Sequence, residues 1–151
     1  VNRLNPDEFW EFSVDLYQGK QDIYLHCQNN WGLSVNMLLL IQYLSLKGWQ
    51  ISLEQIRQLC ENNASLVEEI VTMRNKRVAT GRDNIEAYQR LKLEELELEK
   101  QHQQQLIQQL NRTKIQPASS QNSSLRHYLS VSKISETDIH TILNLLSFNE
   151  D

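Results

Sequence analysis

Two groups of residues carry types and spacings that could do chemistry. Arg74 and Arg77 stand three residues apart, so on a helix they share one face. Two guanidinium groups side by side can hold a phosphate or a carboxylate. The same pair also suits a solvated last helical turn, where cations oppose the helix dipole. The second group is the polar set inside the apolar N-terminal half: Ser13, Gln28, Ser34 and Asn36. A buried carboxamide left without partners costs about 1–3 kcal/mol. Gln28 and Asn36 therefore either tie the turn at Trp31-Gly32 to a neighbouring helix or face a pocket and orient a ligand. Trp10 and Tyr17, with Phe9, Phe12, Trp31 and Trp49, either fill a core or line such a pocket. Trp10, Tyr17, Gln28, Asn36, Arg74 and Arg77 are thus the candidate ligand-binding residues, and the ligand class is a small anion.

Catalytic and metal readings find little. The chain has no Gly-rich phosphate loop, no histidine pair at i and i+4, and no nucleophile elbow. His26 and Cys27 are adjacent, and adjacent helical residues point apart. The run Glu94, Glu95, Glu97, Glu99 reads as a solvated face. His26, His102, His127 and His140 do not pair with Cys27 or Cys60 at finger-like spacing, so neither a zinc site nor a cofactor is expected. Two cysteines make no disulfide scaffold, and two buried thiols fit a reducing compartment.

The elements that position these residues are helical. The chain has 151 residues, enough for one domain with a real core. Four Gly and two Pro are too few for an all-β protein rich in tight turns. The net charge of -4 disfavours nucleic acid as the default partner. The apolar run Met37–Ile41 resumes after Gln42 at Tyr43 and Leu44, too short to cross a bilayer. The N-terminus is polar and leads directly into a helix start, so no leader is expected.

Asn5-Pro6-Asp7-Glu8 opens the first helix, which Gly19 ends, and a second runs over 21–30. The third starts at Ser34 and is apolar nearly all round, as a helix enclosed by others must be. Ser52 with Gln55, and Ser65 with Glu68, open the fourth and fifth. Asp83 with Glu86 opens a long helix reaching Asn111, about 40 Å at the standard rise. Residues 113–124 read as a flexible linker. Ser135 caps a last short helix with the narrow apolar stripe Ile139, Ile142, Leu143, Leu146, which must dock either on its own bundle or on a partner. The expected fold is all-α: a compact orthogonal helical bundle extended by one long helix and a short C-terminal helix. Residues 1–112 form the bundle with the long helix at 83–111, 113–124 the linker, and 125–151 the C-terminal helical segment.

The stretch from Phe9 to Gly48 resembles a family of bacterial proteins, the domain of unknown function 2390. The matching residues are Phe9-Trp10, Phe12-Ser13, Tyr17, Leu25, Gln28, Gly32, Val35-Asn36-Met37-Leu38-Leu39 and Gly48, followed by Arg74 and Arg77. Members usually carry Asp where Ser34 stands, which argues against a catalytic carboxylate at that position. The resemblance implies a small helical cytoplasmic protein and assigns it no activity.

The leading functional expectation is a non-catalytic cytoplasmic adaptor or regulatory protein. It would bind a protein partner through the tethered stripe Ile139, Ile142, Leu143, Leu146. The rival is a small-anion or catalytic pocket in the N-terminal bundle. Association with RNA or the ribosome through Arg74 to Arg82 ranks below both.

Overall fold

The most apolar stretch of the chain becomes its centre. In the computed structural model, which describes residues 4–120 and 122–146, helix α2 spans Val35–Leu46 and is buried without a break from Asn36 to Leu44. Its start is fixed by Ser34, whose side chain accepts from the Met37 N–H. A helix apolar on every side needs neighbours on every side, and four elements supply them. Helix α1 (Pro6–Trp31) lies along it, with Phe9 and Phe12 rings 5.1 and 5.3 Å from the ring of Tyr43. The others are a two-residue strand β1 (Trp49–Gln50), helix α5 (Ile85–Leu110) and helix α6 (Ser123–Val131). Helices α3 (Leu53–Asn62), α4 (Ala64–Thr80) and α7 (Glu136–Leu145) and a second short strand β2 (Gln116–Pro117) complete the all-α fold.

Helix α1 is one element where two were expected. It kinks at Lys20 (φ −134°, ψ 28°) and continues past Gly19 to Trp31. It ends at Gly32, whose left-handed φ of 66° lets its N–H turn back onto the last carbonyls. The capping box of Ser52 and Gln55 forms as the sequence predicts. Helix α4 starts one residue before the predicted Ser65 cap. Its cap residue, Asn63, instead uses its amide to join the Leu59 carbonyl to Gln109 of α5 at 2.8 Å each.

Two expectations about the C-terminal third are corrected. Residues 113–120 and 122–124 are not a free tether. Ile115 is buried, Gln116 and Pro117 pair antiparallel with Gln50 and Trp49, and the Ile51 N–H donates to Ser124 Oγ at 3.0 Å. Gln50 Oε1 accepts from Ser119 and Ser123, and Gln55 Nε2 donates to the Lys114 carbonyl. Nor is the stripe of α7 free for a partner. Ile139, Ile142, Leu143 and Leu146 are buried in the same core cluster as α2. Gln42, the polar break in the apolar run, is buried between them: it accepts from Tyr24 and donates to the Leu146 carbonyl at 3.4 Å. Residues 1–3 and 147–151 of the predicted segments lie outside the described residues.

Ile142 is fully buried, so Ile142→Ala should destabilise the whole protein by about 2–5 kcal/mol. Urea unfolding followed by far-UV circular dichroism reads this directly. A cost below about 0.5 kcal/mol, as at an ordinary surface position, would mean that α7 is not part of the core.

Candidate functional site

Helix α5 gathers five of the six candidate residues. Its inner line runs Tyr88, Leu91, Glu95, Leu98, His102, Leu106, with steps of three and four, the spacing of one helix face. Polar residues interrupt that line at Glu95 and His102, and both are buried.

At His102 the polar groups form a chain across three helices. Asn36 Nδ2 of α2 donates to the Glu99 carbonyl and to His102 Nδ1, 3.1 Å each. Gln103 Nε2 donates to Asn36 Oδ1 and to Ser13 Oγ of α1, 3.0 Å each. The Glu99 carbonyl can only accept, so the Asn36 amide is oriented with its nitrogen toward α5. His102 Nδ1 is then the acceptor, and the ring proton sits on Nε2. Burial holds this imidazole neutral, with its pKa pushed down to about 4. Asn36 therefore ties α2 to α5. Gln103 Oε1 is buried and has no hydrogen-bond partner among the described residues.

Two turns earlier on α5, at Glu95, the chain becomes charged. Glu95 takes Arg77 Nε at 2.6 Å and Arg74 Nε at 3.4 Å. Arg77 also donates to the Tyr88 hydroxyl at 3.2 Å, and Arg74 reaches Glu99 at 3.9 Å. The two arginines do share a face, and that face already meets carboxylates. Their use for an external anion would require breaking those pairs. Glu99 is pushed up to about 7 by burial and by the charge of Glu95, against the pull of Arg74 and Arg77. Its side chain keeps a third of its surface exposed. The half-buried Tyr17 hydroxyl has its pKa raised, first by burial and then by Glu99. Lys100 lies over the Trp10 ring, 5.8 Å from its centroid. Gln28 stands apart in the last turn of α1, where its backbone carbonyl accepts from Gly32.

Beyond this seam the α4–α5 hairpin extends with apolar side chains on its surface. Val71, Val78, Ile85, Leu93 and Leu96 are 40, 65, 56, 66 and 47% exposed. Arg74 is three residues after Val71 and four before Val78, and Glu99 is three after Leu96. Because Arg74 and Glu99 meet, the apolar lines of α4 and α5 flank the same side of the hairpin. On α5 these lines are continuous with buried ones. Leu96 is seven residues before Gln103, Leu93 is fourteen before Ile107, and both Gln103 and Ile107 are buried. The bundle covers that side of α5 in its second half and leaves it open in its first.

The sequence reading missed Glu95, Glu99, His102 and Gln103 as site members. Glu95 belongs to a run whose composition reads as solvated, yet it is 7% exposed. The available signal was its place between Leu91 and Leu98 on the apolar line, opposite a helix that carries two arginines. Among the described residues no group of His, Cys, Asp and Glu is arranged to hold a metal ion, and no helix is long and apolar enough to cross a membrane.

The model of a family described as Protein of unknown function (DUF2390) matches residues 8–106. No curated protein and no solved structure matches the chain. The matched span contains the whole polar seam and every exposed apolar residue of the hairpin.

The Glu99 environment predicts a pH-dependent effect. A carboxyl whose folded pKa is raised stabilises the fold below the unfolded value, and this contribution is lost as pH climbs through the folded value. Glu99→Gln removes the titration, so its melting temperature should rise relative to wild type between pH 4.5 and 7. The gain should be complete near pH 8 and absent at pH 4. Thermal melts across that range check the sign, and a variant that loses ground as pH rises would show Glu99 to be favoured in its charged form.

Proposed function

The chain belongs to the DUF2390 family, and we propose that it is a non-catalytic cytoplasmic protein that works by binding another protein through the projecting face of its α4–α5 hairpin. One observation carries this reading. Of the seven large apolar side chains that are exposed among the described residues, five lie on the hairpin, flanking one seam. Scattered single apolar residues are normal on a protein surface, whereas a contiguous group marks an interaction site. The centre of such a site is poor in charge and its rim is polar. Asn75, Ala79 and Gln89 lie close to these lines by helical register, and the charged residues on them include Arg74 and Glu99, paired across the seam, and Lys92 and Lys100 of α5.

This relocates the expected docking element. The stripe of α7 is covered by the chain's own core, so it no longer supports partner binding. The rival pocket draws less support, because Arg74 and Arg77 are paired with Glu95 and Asn36 is saturated by its neighbours. A bacterial cytoplasmic setting accords with the family resemblance and with two unpaired cysteines, Cys27 buried and Cys60 half-buried.

A photo-reactive amino acid placed at Leu93 or Leu96 in living cells tests the reading. Both positions should give a discrete polypeptide adduct of one mass, and the adduct should vanish when Val78 on the facing helix is changed to Glu. The same probe at Arg126, on the exposed side of α6, should give none. Adducts equally abundant at all three positions, or at none, would remove the hairpin as the binding face.

A further inference from the structure

The kind of partner can be taken one step further. Resting on the protein-binding reading above, we propose that the hairpin face receives an amphipathic helix of another protein, with its apolar residues flanked by carboxylates. Shape gives the first reason. Two antiparallel helices bearing parallel apolar lines leave a groove between them, and a third helix fills such a groove with residues at i, i+3, i+4 and i+7. The open stretch of α5, from Ile85 to Leu96, is about 16 Å long, room for three turns of a bound helix.

Charge gives the second reason. Lys92 is seven residues after Ile85 and four before Leu96, so it stands on the apolar line itself. Lys100 follows Leu96 by four and Leu93 by seven, closing the line at the bundle end, where it lies over Trp10. Arg82 occupies the turn between Val78 and Ile85, beside Tyr88. Among the described residues none of these three cations has a carboxylate within 4 Å. On α4 no acidic residue occurs between Ile70 and Arg82. Of the acids of the hairpin, Glu95 and Glu99 are engaged with the arginines of α4 and Glu94 with Arg90, Asp83 stands in the turn beside Arg82, and Glu86 and Glu97 fall on the far side of α5 by helical register. The face therefore offers apolar contact framed by three cations without an ion-pair partner among the described residues, on a chain whose net charge is negative. A second copy of the chain fits poorly, because two such faces would bring Lys92, Lys100 and Arg82 against like charges.

The experiment uses the full chain and two synthetic peptides of roughly 18 residues. Both carry the same leucines at i, i+3, i+4 and i+7. One has glutamates flanking the leucines and the other has lysines. Fluorescence anisotropy should show the glutamate peptide binding at least about tenfold more tightly at low salt, with the ratio shrinking as salt rises. Lys92→Glu with Lys100→Glu should reverse the preference, and Leu96→Asp should abolish binding of both peptides. All three positions are on the surface or half-buried, and an unchanged thermal melt verifies that each variant folds. Equal binding of the two peptides, preference for the lysine peptide, or binding of neither overturns the acidic-helix proposal. If the adducts at Leu93 and Leu96 persist in that case, the protein-binding reading stands alone; if they are absent too, both fall. A dimer that sediments as such and dissociates in Leu96→Asp would name a second copy as the occupant and would equally overturn the proposal.

Discussion

A helix that is apolar on all sides has to be enclosed, and the enclosure of α2 organises the chain. Nine consecutive buried residues leave no solvent-facing side, so α1, β1, α5 and α6 are placed around it and α7 joins the same cluster. The buried polar groups follow from this. Gln42 and Asn36 lie on α2 itself and cannot reach bulk water, so each is met by a neighbour: Gln42 by Tyr24 and the end of α7, Asn36 by Gln103, His102 and the Glu99 carbonyl. In a water-poor interior these bonds work less as a source of net stability than as a register lock, since any shifted packing would leave a group unpaired.

The same constraint explains why part of the molecule is left open. Helix α2 has 12 residues and α5 has 26, about 18 Å against about 39 Å. The core can cover only the half of α5 that lies beside α2. The other half leaves the bundle alongside α4, and the two are joined at the boundary by Glu95, Glu99, Arg74 and Arg77. That ion cluster sits where buried packing gives way to solvent. There a guanidinium pair can hold two helices together without full desolvation of either charge. Beyond it the apolar lines of α5 emerge from under the bundle, and the protein presents a surface that its own core is too short to use.

The sequence was legible where structure is local. Asn5, Ser34, Ser52 and Ser135 each cap the helix expected of them, because a cap is a bond between residues two or three apart. The all-round burial of α2 was legible for the same reason, as a run of apolar residues needs no partner to be recognised. The rest depends on distant partners. Residues 113–120 and 122–124 have the composition of a linker, and partners that include Gly48, Trp49, Gln50, Ile51 and Gln55 stand more than fifty residues away in sequence. The expected helical segment over 125–151 overlaps α6, but the start of α6 has no marker in the sequence, and Asn122 makes no side-chain cap bond there. Glu95 was hidden by its neighbours: Glu94 and Glu97 are exposed, and only helical phase separates them from it. Which face of a helix a charge occupies is visible in spacing, but whether that face is covered is decided by the element opposite.

Hydrogen exchange resolved by mass spectrometry tests the central claim most directly, namely that α7 belongs to the core while the far half of the α4–α5 hairpin lies outside it. Amides in the middle of α2 and α7 should exchange together at the slow rate set by global unfolding, while those from Val71 to Leu93 should exchange faster through openings that leave the core intact. Fast exchange across α7 combined with core-like protection of the hairpin tip would contradict this division. It would return the tethered helix to the solvent side and place the binding surface there.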